Sequence, residues 1–251
     1  MTATTEFQAG GYKYINGVFQ YSGGVAALPG FEIERVRFAN PLPVSAGFQA
    51  IGAHLKEIGR PLQAFCACEL RSPAPFDDAG FIAFNREYIK PLQEWKIAVG
   101  DDNPVARSNV CPEIDPPDQP VFYAFSYTVP SSNPGGGNFV ISGSAEAKDG
   151  NGSYRERTVR YGDQSSEAMR EKAQWVMNVM GHRLDALDFG WRDVANAHIY
   201  TIHDIHPFIG DELVSRGAAR GGLTWHFSRP PVDTLDYEMD VRTVSSERYR
   251  D

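Results

Sequence analysis

One pattern runs twice along this chain of 251 residues. The first copy extends from Phe19-Gln20-Tyr21-Ser22-Gly23-Gly24 to Pro104-Val105-Ala106-Arg107-Ser108-Asn109-Val110. The second extends from Phe139-Val140-Ile141-Ser142-Gly143-Ser144 to Ala218-Ala219-Arg220-Gly221-Gly222-Leu223. Each copy opens on a β-rich segment ending in Ser-Gly. An amphipathic helix, a strand and a second helix follow, and an Ala-Arg precedes a last strand. A duplication restricts the architecture before any chemistry is considered, because both copies must build the same kind of unit. It also supplies a comparison inside one sequence, since an acid kept in one copy and missing from the other is informative.

The length suits two domains of ordinary size, and the apolar fraction of 42% lets each bury its own core. The boundary falls in Ser131-Ser132-Asn133-Pro134-Gly135-Gly136-Gly137, a mixture that no packed element tolerates. The expected division is 1–130, a linker over 131–137, and 138–251. A formal net charge of -8 argues against a nucleic-acid partner, which calls for a basic face. No apolar run is long enough to span a bilayer. The start, Met1-Thr2-Ala3-Thr4-Thr5-Glu6, lacks the basic and apolar regions of a secretory signal. Three cysteines form no C-x-x-C motif, and Cys66 and Cys68 read as neighbours on one strand face. A soluble, reduced, cytoplasmic protein is expected.

Periodicity outlines the elements. Phe48, Ile51, Leu55 and Ile58 repeat at helical spacing before Gly59, and Val176, Val179, Met180, Leu184 and Leu187 do so before Gly190. Segments 12–26, 63–70, 121–129, 194–202 and 235–244 read as strands, and 76–95 and 208–216 as second helices. Segment 27–42, with Pro29 and Pro41, reads as irregular. Asp149-Gly150-Asn151-Gly152 marks a turn in a polar stretch. The fold class is α+β, each copy being a mixed sheet with two helices on one face.

Tyr21-Ser22-Gly23, the helix ending at Gly59, Phe84-Asn85-Arg86-Glu87-Tyr88 and above all Pro104-Val105-Ala106-Arg107-Ser108 carry a resemblance. The second copy carries it at Ile141-Ser142-Gly143, Gly190, Thr201-Ile202-His203-Asp204 and Ala219-Arg220. Both copies resemble the YjgF/RidA (reactive intermediate deaminase) family. That resemblance implies a chorismate-mutase-like fold, homotrimeric packing with clefts between neighbouring domains, and hydrolysis of enamine or imine acids, aminomuconate-type acids from aromatic breakdown among them. No cofactor is expected, because an imine is already electrophilic, and no metal is expected. The resemblance assigns the carboxylate-binding arginine to Arg107 and Arg220. The cysteine two residues beyond that arginine is Asn109 in the first copy and Gly222 in the second. The last-strand glutamate is matched by Glu238, while the first copy reads Pro120-Val121-Phe122-Tyr123-Ala124-Phe125 with no acid. The early tyrosine is matched by Tyr12 or Tyr14.

The residue types fit that chemistry. A planar guanidinium forms two parallel bonds to a carboxylate, although an interface salt bridge would use Arg107 as well. A carboxyl such as Glu238 manages protons when it reaches the attacking water, although Asp236, Glu238 and Asp240 together also read as a solvated acidic face. Ser22-Gly23 and Ser142-Gly143 read as backbone close to a ligand rather than as nucleophiles, since neither lies in a G-x-S-x-G elbow. His198, His203 and His206 match no helical metal motif. The expected catalytic residues are Glu238 and Arg107. Substrate binding is expected from Arg107, Arg220, Ser22, Gly23, Ser142, Gly143, Tyr12 and Asn109. The expected partner is a small carboxylic acid. Either one composite cleft joins Arg107 to Glu238, or the second copy works alone with Arg220. The rival functions are a lyase or hydrolase of a chorismate-like acid and a ligand-binding protein without turnover.

Overall fold

The computed structural model of the protein describes residues 3–132, 137–148, 150 and 152–250. Residues 133–136 of the expected linker, and Asp149 and Asn151 of the expected turn, lie outside the described residues. The chain runs β1 (Thr4–Phe7), β2 (Tyr12–Ile15), β3 (Gly24–Ala27), β4 (Phe31–Pro43), α1 (Val44–Glu57), β5 (Phe65–Arg71), α2 (Asp78–Glu94), β6 (Ala106–Pro112) and β7 (Val121–Pro130). It continues with β8 (Phe139–Ala145), α3 (Tyr154–Arg157), α4 (Ser166–Ala186), β9 (Asn196–Tyr200), β10 (Leu223–His226), β11 (Ser228–Arg229), β12 (Glu238–Thr243) and β13 (Ser246–Arg250).

Helix boundaries follow local chemistry. Asp77 caps α2 by accepting from the Gly80 N–H at 2.6 Å, and Ser165 caps α4 by accepting from Ala168. Gly59 stands just past α1 at φ +69°, a conformation that glycine adopts without strain. The second helix expected over 208–216 is only a short wide turn, Ile209–Val214. The irregular stretch expected over 27–42 is corrected more sharply, because it forms the long strand β4. Pro41 is accommodated because the pairing of β4 with β7 shifts register between Arg37 and Leu42, where the ladder needs no N–H from it.

The strands form two mixed sheets that interlock. One has the order β1-β2-β3-β8-β12-β9-β10, the other β11-β6-β5-β7-β4-β13. The first three strands therefore extend the sheet built from 139–243, while β11 and β13 join the sheet built from 31–130. Helices α1 and α2 cover one sheet through Phe48, Ile51, Leu55, Tyr88 and Leu92. Helix α4 covers the other through Val176, Met177, Met180 and Leu184, packed against Ile199, Met239 and Val241. A third apolar cluster, including Tyr12, Tyr14, Val25, Cys66 and Ala106, joins the sheets. The register of β5 slips between Phe65 and Ala67, so Cys66 packs there and Cys68 packs on the helix side, not beside it.

Buried charges also bridge the sheets. Arg35 forms a two-pronged pair with Glu69 at 2.7 and 3.0 Å, and Arg242 reaches Glu69 at 3.2 Å and Asp240 at 3.1 Å. Tyr200 donates to Asp240 at 2.7 Å. Among the described residues, no helix is long and apolar enough to cross a membrane.

Candidate active site

Alternation along β12 aims its side chains. Tyr237, Met239 and Val241 point into the core under α4, so Glu238, Asp240 and Arg242 face the opposite sheet. The reading of a solvated acidic face is thereby corrected. Glu238 and Asp240 are buried, and Asp236 pairs with Lys172 and, at 3.2 Å, with His203. Lys172 is itself fully buried on α4 and lies 3.6 Å from Glu146, whose carboxylate accepts from the backbone N–H groups of Asp236 and Tyr237 at 2.6 and 3.1 Å. This network fixes the approach of the chain to Glu238. Burial pushes the Glu146 carboxyl up to about 7.

Arg107 comes from β6, in the other half of the chain. Its guanidinium is ringed by Tyr88 at 4.6 Å, Tyr21 at 5.1 Å, Phe84 at 5.8 Å and Phe81 at 6.0 Å. Phe81, Phe84 and Tyr88 fall at helical spacing on one face of α2. Both terminal nitrogens of Arg107 are buried without a hydrogen-bond partner among the described residues. An uncompensated buried cation is costly, and such a site favours an anion that completes its hydrogen bonds.

Arg107 and Glu238 line one cavity of about 90 Å³, with Tyr21, Asn109, Gly143 and Leu235 among the other walls. Glu238 holds its proton to a pH well above the usual carboxylate range. Burial is the main cause, the neighbouring Asp240 and Glu146 add to it, and Arg107 and Arg71 oppose it. Gly143 makes room for the acid, because a Cβ there would lie 2.1 Å from Glu238 Oε1. Asn109 accepts from Ser72 at 2.9 Å through its oxygen, and its Nδ2 has no partner among the described residues. The cavity shares Tyr21, Phe81, Tyr154, Arg157 and Arg183 with an outer vestibule of about 630 Å³.

Other expected residues lie elsewhere. Ser142 Oγ accepts from the Arg107 N–H at 3.0 Å and donates to the Ser22 carbonyl at 2.6 Å, so both serines stitch the sheets together behind the arginine. Gly23 lines the vestibule. Tyr12 is fully buried, donates to the Phe65 carbonyl at 3.3 Å and touches neither cavity, and Tyr14 donates to Asp102 at 2.5 Å. Arg220 is exposed ahead of β10 and also lines neither. The tyrosines that line the cavity are Tyr21 and Tyr154, and Tyr21 was legible only as the residue before Ser22-Gly23. Arg157 and Arg183 carried no sequence signal. His198, His203 and His206 pair separately with Tyr200, Asp236 and Asp204.

With this geometry in hand, the sequence matches the profile of the 2-aminomuconate deaminase CnbZ family over residues 4–248. The chain belongs to that family. It is 50% identical over 242 residues to a 2-amino-5-chloromuconate deaminase of Comamonas testosteroni, covering 96% of both chains. The solved structure of a chorismatase shares the fold over 92% of this chain and 79% of its own, at 11% identity and a TM-score of 0.56. A structure of the YjgF gene product of E. coli matches 43% of this chain and 80% of its own, at 12% identity and a TM-score of 0.31. The hydrolytic deaminase expected from the sequence agrees with membership of the CnbZ family, and this member is an enzyme of the deaminase class.

Proposed function

We propose that this chain hydrolyses a 2-aminomuconate-type enamine acid to the corresponding 2-oxo acid and ammonia, in a composite cleft. The observation that carries this reading is the burial of Arg107 and Glu238, from the two halves of the chain, in the walls of one cavity. Arg107 takes the carboxylate next to the amino-bearing carbon through its two unpartnered nitrogens. Glu238 begins protonated, as its raised pKa favours. It gives its proton to the enamine carbon, and the C=C electrons leave an iminium. Water attacks the iminium carbon while the Glu238 carboxylate takes the water proton. The same carboxyl then carries the hydroxyl proton of the carbinolamine to nitrogen. The C–N bond breaks, ammonia leaves, and Glu238 is again protonated. The iminium is already electrophilic, so these steps call for no cofactor. The apolar wall of Phe81, Val232 and Leu235 suits the flat carbon chain of a muconate.

The test is ammonia release from freshly generated 2-aminomuconate. Arg107→Ala and Glu238→Gln are each expected to lower kcat/KM by about 10²–10⁴-fold, the range of acid–base and positioning groups. The double variant is expected to be no worse than the weaker single one, because the two act as a unit. Full activity in Glu238→Gln, or in Arg107→Ala, refutes the composite site.

We also infer that residues 1–130 and 138–251 are two RidA-like units, supported by the repeated motifs, and that the chain assembles as a homotrimer. A stable monomer in light scattering at micromolar concentration refutes the trimer.

A further inference from the structure

A muconate carries a carboxylate at each end of a conjugated chain, and Arg107 accounts for only one. We propose that Arg157 holds the second, distal carboxylate, at the mouth of the cavity that Arg107 lines. This assignment rests on the aminomuconate reading above and adds a subsite to it. Arg157 lines both the inner cavity and the vestibule, so it stands where one opens into the other.

The arginine is held in place by uncharged groups. Its Nε donates to the Gly152 carbonyl at 3.3 Å, its Nη1 donates to the Lys148 carbonyl at 2.9 Å, and its guanidinium lies 4.4 Å from the centre of the Tyr154 ring. Among the described residues it pairs with no carboxylate. The acid at the vestibule, Asp78, accepts instead from the Tyr154 N–H at 3.2 Å. The turn that presents Arg157 is itself braced. Ser153 and Glu156 form a reciprocal cap on α3, and Thr158 donates to the Tyr154 carbonyl at 2.8 Å. A guanidinium fixed in this way loses little freedom when an anion arrives. Arg183 lines the same cavity and donates to the Ser142 carbonyl at 3.1 Å, which adds positive potential beside the mouth.

The walls therefore combine two cations with an apolar surface. Arg107, Val232 and Leu235 line the inner cavity, and Phe81 and Arg157 line both that cavity and the vestibule. A diacid with an uncharged conjugated centre matches that lining. An acid with one carboxylate leaves Arg157 with its two carbonyl partners, the Tyr154 ring and water.

The experiment compares two stable ligands on the full chain, muconate and sorbate. They share the diene, and sorbate has a methyl group where muconate has its second carboxylate. Titration calorimetry on the wild type is expected to show muconate binding about tenfold or more tighter than sorbate, the usual worth of a charge-assisted hydrogen bond. In Arg157→Leu the muconate affinity is expected to fall to that of sorbate, while sorbate binding stays unchanged and so reports an intact fold. Arg157→Gln, which keeps a donor without the charge, is expected to lose most of the preference as a second variant. An unchanged muconate-to-sorbate ratio in both variants overturns the subsite. If the wild type then still releases ammonia from 2-aminomuconate, only the subsite has failed. If it neither binds the two acids nor releases ammonia, the aminomuconate reading has failed and the subsite with it.

Discussion

Gly143→Ala tests the cavity through the smallest possible change. The backbone at Gly143 is not in the left-handed region, so alanine meets no conformational barrier there. The obstacle is the side chain opposite. The new Cβ would stand 2.1 Å from Glu238 Oε1, 3.1 Å from its Cδ and 3.0 Å from the Ser108 Cβ, where ordinary contacts begin at 3.4 Å. Glu238 must retreat by about an ångström or more, and a displacement of that size costs about 10²-fold when it misplaces a reacting group. Overpacking of this kind destabilises by about 1–3 kcal/mol. Kinetics and urea unfolding separate the two effects. The expected result is a fall of about 10²-fold in kcat for ammonia release, with a cooperative unfolding transition retained. Adding Glu238→Gln to Gly143→Ala is expected to cost little further activity, because the acid has already lost its position. A Gly143→Ala enzyme with wild-type kcat/KM refutes the claim that Glu238 works from the place it occupies beside this glycine.

Arg107→Lys is expected to lose about 2–4 kcal/mol of transition-state binding, nearly as much as Arg107→Ala, because lysine lacks the planar fork; near wild-type kinetics in the lysine variant would remove the bidentate role. Glu238 ionises near 4.5 in the unfolded chain but well above that when folded, so the stability its proton contributes is full below 4.5 and is lost as pH rises through the folded value. Glu238→Gln abolishes that titration, and its urea midpoint relative to the wild type is expected to rise between pH 5 and pH 9, whereas a constant difference contradicts the raised pKa. Glu69→Leu strips Arg35 and Arg242 of a buried partner and is expected to cost about 3–5 kcal/mol in urea unfolding. A loss under about 1 kcal/mol there means that the charges between the sheets are reached by water.

Local order was legible in the sequence. The spacing of Phe48, Ile51 and Leu55 marked α1 and the β-branched and aromatic run at 121–129 marked β7, whereas the arginine that reaches the cavity was marked only by the family resemblance of Ala106-Arg107-Ser108. Those signals are local, because helical and strand periods and turn chemistry depend on residues a few positions apart. Helix α4 was harder, since its first turns carry Glu167, Arg170 and Lys172, and the burial of Lys172 depends on carboxylates more than twenty residues away on either side. Strand β4 was missed because Pro41 argues against a strand until the register shift beside it is known.

The sequence by itself determined many of the elements and, through the family resemblance, singled out the arginine and the acid of the proposed site. Only the tertiary structure decided which of them meet. Every strand offers the same row of N–H and C=O groups, so nothing local in Tyr12–Ile15 states that it belongs to the sheet of Glu238–Thr243, or in Ser246–Arg250 that it pairs with β4. That exchange sets β6 against β8 and brings Arg107 to the cavity of Glu238, while it leaves Arg220 exposed and Tyr12 in the core. Position along the chain then separates three acids that look alike in sequence: Asp236, just ahead of β12, pairs with Lys172, while Glu238 and Asp240 share one face of the strand, Glu238 at the cavity and Asp240 in the ionic network between the sheets. Burial and neighbouring charge are properties of that packing rather than of the residue, and they raise the pKa of one of these acids while another remains a partner in an ion pair.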